Sequence, residues 1–209
     1  MNIKTSNYID QLNFMVERLF KRSTDIILAL ISLVIFSPLF LIIAYAIHRE
    51  DGLPVIYKQE RIGLHGLPFY IYKFRSMKVD AEKDGPNLLE INGDKRLTKV
   101  GKFLRGHHLD ELPQLWNVLK GDMSFVGPRP ERRFYIEKIM EHDRRYVKLY
   151  QIRPGVTSYA TLYNGYTDTM KKMLRRLELD LYYLEHHSWW FDIKLLGKTF
   201  INIIFGKKF

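Results

Sequence analysis

The sequence predicts a mixed α/β, mostly helical fold. A re-entrant membrane helix, broken at Ser37-Pro38, anchors it within residues 1–50. A small cytoplasmic domain over residues 51–209 follows, with a β-hairpin and amphipathic interfacial helices. Three observations predict this. Residues 26–47 form a run of 22 without a charge, a membrane segment by length. Residues 54–73 alternate around a Gly-containing turn. Beyond them, apolar residues recur at helical spacing.

The apolar run exceeds the h-region of a signal peptide, and 25 residues precede it. As a straight helix it would reach about 33 Å at 1.5 Å per residue, enough to cross a bilayer. Pro38 sits at its middle, where a missing N–H and a clash with the carbonyl four residues back should kink or break the helix. The arms Ile26–Phe36 and Leu39–Ile47 are then each about half a bilayer long. Arg18, Lys21 and Arg22 precede the run, and residues 49–209 carry 29 Lys+Arg against 20 Asp+Glu. Basic flanks favour the cytoplasmic side. A helix that dips in and returns satisfies both flanks; a kinked single span, the alternative, satisfies one.

Pro54–Arg61 and Leu67–Lys73 read as a hairpin around Gly63–Gly66, and Val79–Lys95 as a polar surface loop. Leu97–His107 is a short basic helix. Leu112–Lys120 is a second, with Asp110 as N-cap and Gly121 as its stop, and Glu131–Tyr150 a third. Thr167–His187 carries Met170, Met173, Leu177, Leu181 and Leu184 on one face, a core-packing stripe. In Ser188–Phe209, Trp189, Trp190 and several Phe alternate with Lys194, Lys198, Lys207 and Lys208. That pattern suits the headgroup layer, and a helix packed on the domain is the alternative.

Composition narrows the chemistry. The 209 residues can bury a core without disulfides. With no cysteine, thiol catalysis and Cys-ligated metals are excluded. The net charge of +10 favours anionic partners, but no nucleic-acid motif accompanies it, so nucleic acid is not expected. Gly197-Lys198-Thr199 imitates the end of a P-loop, yet Asp192 stands where its first glycine belongs. His107-His108 and His186-His187 are adjacent pairs, poorly placed to chelate one metal.

The chemistry concentrates in residues 96–131. Asp110-Glu111 opens a helix, Arg105 lies five residues before Asp110, and Arg129 is held between Pro128 and Pro130. Arginine forks match phosphate oxygens bidentately. Magnesium suits such a place, since it takes one or two carboxylates plus substrate phosphates. Spacing alone favours an N-cap Asp with ordinary salt bridges.

Several strings in order then carry a resemblance: Lys21-Arg22 with Asp25, Ser37-Pro38, Y-K-Q-E-R-I-G at 57–63, Y-K-F-R-S-M at 72–77, L-D-E-L-P at 109–113, G-D-M-S at 121–124, V-G-P-R-P at 126–130, R-P-G-V-T at 153–157 and L-E-L-D-L-Y-Y at 177–183. The chain resembles the bacterial sugar transferases, monotopic phosphoglycosyl transferases acting on polyprenol phosphate, in their minimal form. The resemblance implies that Asp110 attacks the β-phosphorus of a UDP-sugar, releasing UMP and leaving a phosphosugar–aspartyl intermediate that the polyprenol phosphate then resolves. It implies that Glu111, with Asp110, holds Mg²⁺, and that Arg105, Arg129, Arg153, Lys73 and Arg75 bind phosphates. It assigns Lys21, Arg22, Asp25, Ser37 and Pro38 to the anchor, and the protein to the inner membrane with its catalytic domain facing the cytoplasm. A homodimer is left open, and a catalytically silent scaffold of the same fold is the rival. After Thr157 the sequence departs from the family pattern: Ser158-Tyr159-Ala160-Thr161-Leu162 stands there, and Tyr166 follows Gly165. Sugar and nucleobase recognition are therefore not read from it.

Overall fold

The computed structural model describes residues 3–81, 94–165 and 167–205. Helix α1 (Ile3–Asp51) runs 49 residues. Its stretch from Met15 is long and apolar enough to cross a membrane, and little of it is buried in the protein. Val34 and Leu41, near the middle of the run, are each 73% exposed. Such a surface calls for a non-aqueous neighbour.

One expectation fails in α1. The backbone stays helical through Ser37-Pro38 rather than breaking into two arms. Pro38 cannot donate to the carbonyl of Val34, four residues back. The Ser37 hydroxyl donates to that carbonyl instead, at 2.8 Å. The orphaned acceptor is satisfied locally, so the helix continues.

Both flanks of the uncharged run dock on the rest of the protein. Arg22 donates to the carbonyls of Val118 and Leu119 at 2.6 and 2.8 Å, and Asp25 accepts the Phe125 N–H at 3.1 Å. At the other end, Ile43 and Ile47 pack on Phe74 and Leu104. Glu50 accepts the N–H groups of Lys99 and Val100 at 2.7 and 2.8 Å, meeting free donors in the first turn of helix α2 (Lys99–Gly106).

The hairpin forms as expected, shifted by two residues at its start. Strand β1 (Ile56–Ile62) pairs antiparallel with β2 (Pro68–Phe74), Ile56 opposite Phe74 and Ile62 opposite Pro68. Helix α3 (Gln114–Lys120) is fastened to β2 by Asn117. This residue is fully buried; its Oδ1 accepts the Tyr72 N–H at 3.0 Å and its Nδ2 donates to Tyr70 O at 2.7 Å. Asn117→Ala leaves two buried strand groups unpaired, each costing about 1–3 kcal/mol. We expect about 2–3 kcal/mol of destabilisation, read as a fall of about 5–10 °C in Tm.

A parallel pair, β3 (Ser124–Val126) and β4 (Gly155–Thr157), sets the remaining loops. Just beyond it the two chains touch backbone to backbone. Gly127 donates to Thr157 O at 3.1 Å, and Gly155 to Pro128 O at 2.9 Å. A Cβ at Gly155 would lie 2.2 Å from the Gly127 nitrogen, and one at Gly127 2.4 Å from Arg153 O. Only glycine fits at either place.

Helix α4 (Arg133–His142) is shorter than the expected Glu131–Tyr150. Asp143 is extended and its carboxylate accepts the Arg145 N–H at 2.9 Å, which ends α4 and starts a separate 3₁₀ segment, Arg144–Gln151. Short helix α5 (Tyr159–Asn164) follows β4. The stripe of α6 (Met170–His186) is core as expected: Met173, Leu177 and Leu181 pack with Ile136, Ile139 and Tyr146. Helix α7 (Trp189–Ile204), capped by Ser188, packs on the domain along one face. Asp192 and Leu195 face inward, while Trp190 and Phe200 stay exposed. Asp192 pairs with Lys21 of α1 and accepts the Tyr183 hydroxyl at 2.7 Å. Residues 82–93 of the expected surface loop, together with Tyr166, Lys207, Lys208 and Phe209, lie outside the described residues.

Candidate active site

The carboxylate pair sits between α2 and α3, and not as the sequence suggested. Leu109–Glu111 is a 3₁₀ turn, α3 starts only at Gln114 behind Pro113, and the Asp110 side chain caps nothing. His108, at φ 55°, enters this turn in the left-handed region. A non-glycine residue there stores strain of order 1–3 kcal/mol, as such outliers commonly do beside functional groups. Asp110 emerges 4% exposed.

Two cations meet Glu111. Lys73 Nζ, at the end of β2, donates to its Oε1 at 2.5 Å, and Arg129 Nη2 donates to the same atom at 2.8 Å. Burial works to raise the Glu111 pKa, but Arg129 and Lys73 outweigh it and hold the carboxyl well below its usual range. Glu111 is an anion at every working pH. Burial depresses the Lys73 ammonium more than Glu111 and Asp110 restore it. Glu111 holds Arg129 above its ordinary value.

Asp110 is the opposite case. Burial and the neighbouring Glu111 charge raise its pKa, against Lys73 and Arg105. Two adjacent acids thus have pKa values pushed apart, the mark of a functional pair. Arg105, in the last turn of α2, keeps its Nη1 buried with no hydrogen-bond partner, a donor available to an anion.

Arg129 is placed by the backbone. Its loop, Pro128–Pro130, is anchored by the Gly127–Gly155 contact on one side and by Glu131 on the other. Glu131 accepts Arg61 at 2.7 Å, pairs with Arg176, and takes the Arg132 N–H at 2.8 Å. Its pKa falls to about 2, because Arg176 and Arg61 overcome the upward effect of burial.

Two expected phosphate ligands are elsewhere. Arg75 is buried, donates to the carbonyls of Asp51 and Gly52 at 2.8 Å each, and pairs with the Asp51 carboxylate at 3.3 Å. It ties down the C-terminal end of α1 and is not brought to the carboxylates. Arg153 donates to Gly121 O at 2.9 Å, on the far end of α3, where Arg22 and Arg18 are its charged neighbours. The anchor residues Lys21, Arg22 and Asp25 are joints between α1 and the rest of the fold.

Sequence reasoning missed His108, Asn117, Arg61, Glu131, Arg176 and Asp180. The signal for Glu131 was present, since it directly follows Pro130. His108 directly precedes the Leu109–Glu111 turn, whereas Arg61 and Arg176 are far apart in sequence and meet Glu131 only through packing.

The family model for bacterial sugar transferase matches residues 16–206. The chain belongs to the bacterial sugar transferase family. Among its relatives is the UDP-glucose:undecaprenyl-phosphate glucose-1-phosphate transferase of Escherichia coli (strain K12), 44% identical over 88% of this chain and 40% of the relative. Another is the UDP-N-acetylgalactosamine-undecaprenyl-phosphate N-acetylgalactosaminephosphotransferase of Aeromonas hydrophila, 40% identical over 89% of this chain and 44% of the relative. The uncharacterized sugar transferase EpsL of Bacillus subtilis (strain 168) is 38% identical over 88% of this chain and 87% of its own length. The chain thus spans about two-fifths of the length of the first two relatives, and nearly all of the third. The sugar transferase match covers every residue of the site described above.

Proposed function

We propose that this sugar transferase moves a phosphosugar from a UDP-sugar to undecaprenyl phosphate and releases UMP. The observation that carries this reading is the buried Asp110 beside a Glu111 already neutralised by Lys73 and Arg129. An Asp that takes neither cation is the group left to act. Relatives named for these substrates support the same reading.

In the first step an Asp110 carboxylate oxygen attacks the sugar-bearing phosphorus. The bond from that phosphorus to the bridging oxygen breaks, and UMP leaves with the electron pair. A phosphosugar–aspartyl anhydride remains. In the second step a phosphate oxygen of undecaprenyl phosphate attacks the same phosphorus and expels the Asp110 carboxylate, giving the lipid diphosphosugar. Arg129 and Arg105 offer donors to the phosphates, and Lys73 keeps positive charge beside them. Asp110 must be ionised to attack.

Lys73 and Arg129 both bond to Oε1 of Glu111, so its second oxygen and the adjacent Asp110 carboxylate are hard oxygen donors that fit a divalent cation. We assign Mg²⁺ to them. When bound, it offsets charge on the diphosphate and the departing UMP. Glu111→Gln should lower turnover at least about tenfold and raise the Mg²⁺ concentration needed for half-maximal rate. A variant with unchanged Mg²⁺ dependence would remove Glu111 from the metal site.

The test of the reaction is UMP release by the purified protein in detergent with UDP-sugars, Mg²⁺ and undecaprenyl phosphate. UMP release that EDTA abolishes is expected; release of UDP would mean direct glycosyl transfer and would overturn the mechanism.

The same reading makes α1 a dipping helix, with the domain on the cytoplasmic face of the inner membrane. Support comes from docking at both flanks. Arg22 and Asp25 on one side, and Glu50 and Asp51 on the other, all bond to the same fold. A helix crossing the bilayer would carry one flank away from the domain. Cysteines placed at Thr5 and at Glu60 should both resist impermeant labelling in spheroplasts. Labelling of one alone would establish a span.

A further inference from the structure

Between the first flank of α1 and α7 lies a cavity of about 310 Å³ that the reaction above does not use. That volume is in the range of small-molecule sites, whereas gaps between packed side chains rarely exceed a water molecule. Ile27 and Leu28 of α1, Phe125 and Val126 of β3, and Trp189 and Leu196 of α7 form its apolar wall. The polar side chains that reach it are already partnered within the protein. Lys21 pairs with Asp192, whose other oxygen accepts the Tyr183 hydroxyl. Asp25 accepts the Phe125 N–H, and Thr24 donates to Lys21 O at 2.8 Å. What the wall offers a ligand is therefore hydrocarbon.

The cavity opens where the uncharged run begins. Ile27, Leu28, Trp189 and Ile193 line it and are still 39–55% exposed. These side chains belong both to the cavity and to the outer surface that calls for a non-aqueous neighbour. A lipid chain can enter between them without crossing water.

Positive charge gathers beside the cavity. Arg22, next to Lys21, donates to Val118 O and Leu119 O, and Arg153 Nε donates to Gly121 O at 2.9 Å. A Cβ on Gly121 would lie 3.3 Å from Arg22 Nη2, so both guanidiniums meet at the end of α3. Their partners are carbonyls, which carry no charge to offset theirs. Arg18, four residues before Arg22, adds a third cation on the same face of α1. Arginines beside a hydrocarbon pocket complement a phosphate that carries a tail.

We propose that this cavity holds one acyl chain of a bilayer glycerophospholipid whose phosphate rests against Arg22 and Arg153. The acceptor of the proposed reaction is a different lipid. Its one phosphate is needed at Asp110, and no described residue of the Asp110 site lines the cavity. The phospholipid fills the joint between α1 and α7 and fastens that flank to the bilayer. This rests on reading α1 as a membrane segment.

Photolabelling of the full chain in vesicles tests it and needs no turnover. The vesicles are phosphatidylethanolamine and phosphatidylglycerol, with a trace of phosphatidylglycerol carrying a diazirine midway along one acyl chain. Adducts should concentrate on the peptides holding Thr24–Leu28 and Trp189–Leu196. Leu28→Trp and Leu196→Trp fill the cavity and should cut those adducts at least about fivefold. Val34→Trp, at an exposed position that does not line the cavity, should leave them unchanged. Adducts spread evenly along α1, or undiminished in both filled variants, would overturn the proposal. So would adducts that undecaprenyl phosphate displaces and unlabelled phosphatidylglycerol does not, which would give the cavity to the acceptor. Adducts nowhere on α1 would sink the membrane reading and the site with it.

A second readout is thermal. Added phosphatidylglycerol should raise the Tm of the unmodified protein in detergent, saturably, and that of Leu196→Trp by about half as much or less. Equal shifts in the two would count against the site as well.

Discussion

Asp110→Asn should abolish UMP release, a fall of at least about a thousandfold in kcat, with Tm unchanged or raised. Loss of rate on this scale is what removal of a nucleophile produces. The stability half of the expectation follows from burial. The carboxyl is 4% exposed beside an ionised Glu111, so burial and like charge both oppose its ionised form. A neutral amide of the same shape escapes both. Activity and stability thus move in opposite senses at one residue, as they do where a fold holds a group in a costly state for chemistry. Intact-mass measurement of the quenched wild-type reaction should show a phosphosugar adduct, absent from Asp110→Asn. Turnover without any adduct would mean that undecaprenyl phosphate attacks the UDP-sugar directly.

The second large effect is expected far from the nucleophile. Glu131→Ala strands Arg61 and Arg176 in the core, where both arginines are mostly covered. Breaking a buried pair this way costs about 3–5 kcal/mol. For a chain of this length that is a fall of roughly 8–15 °C in Tm, measured by thermal unfolding in detergent. The pH dependence has a definite sign. Arg176 and Arg61 hold the Glu131 pKa at about 2 against burial, below the usual 4.5 of a glutamate. Its contribution is therefore complete above about pH 4.5 and is lost as pH falls toward 2. Asp180 acts in the reverse direction. Burial raises its pKa to about 7, so its contribution is complete below about pH 4 and is lost as pH rises through 7. Glu131→Gln should flatten the acid side of the stability profile, and Asp180→Asn the neutral side. A profile unchanged by either substitution would mean that those carboxyls titrate alike in the folded and unfolded protein.

The sequence was most legible where a signal was continuous along the chain. The apolar run forms a helix, though an unbroken one, the hairpin forms with its start shifted by two residues, and the Met/Leu stripe of α6 forms as read. It was least legible where a side chain replaces a backbone partner. Nothing in Ser37-Pro38 announces that the serine hydroxyl takes over the bond to Val34, so a break was expected where the helix continues. Asp143 similarly divides a segment whose pattern reads as one helix. Within the site, Asp110, Glu111, Lys73 and Arg129 come together as the motifs suggested. Arg75 and Arg153 look identical to them in sequence, as cations in motif strings. Only packing shows that both donate to main-chain carbonyls at helix ends, Arg75 through Nη2 and Arg153 through Nε. The support beneath Arg129 was unreadable for a different reason. Arg61, Glu131 and Arg176 lie on three separate segments, and no local pattern links them.

The ion pair between Lys21 and Asp192 joins residues 171 positions apart. During synthesis at about 5–20 residues per second, on the order of ten to thirty seconds separate their emergence. Lys21 therefore waits through that interval for its carboxylate, and α1 is locked to α7 only once both ends of the sugar transferase match have been made.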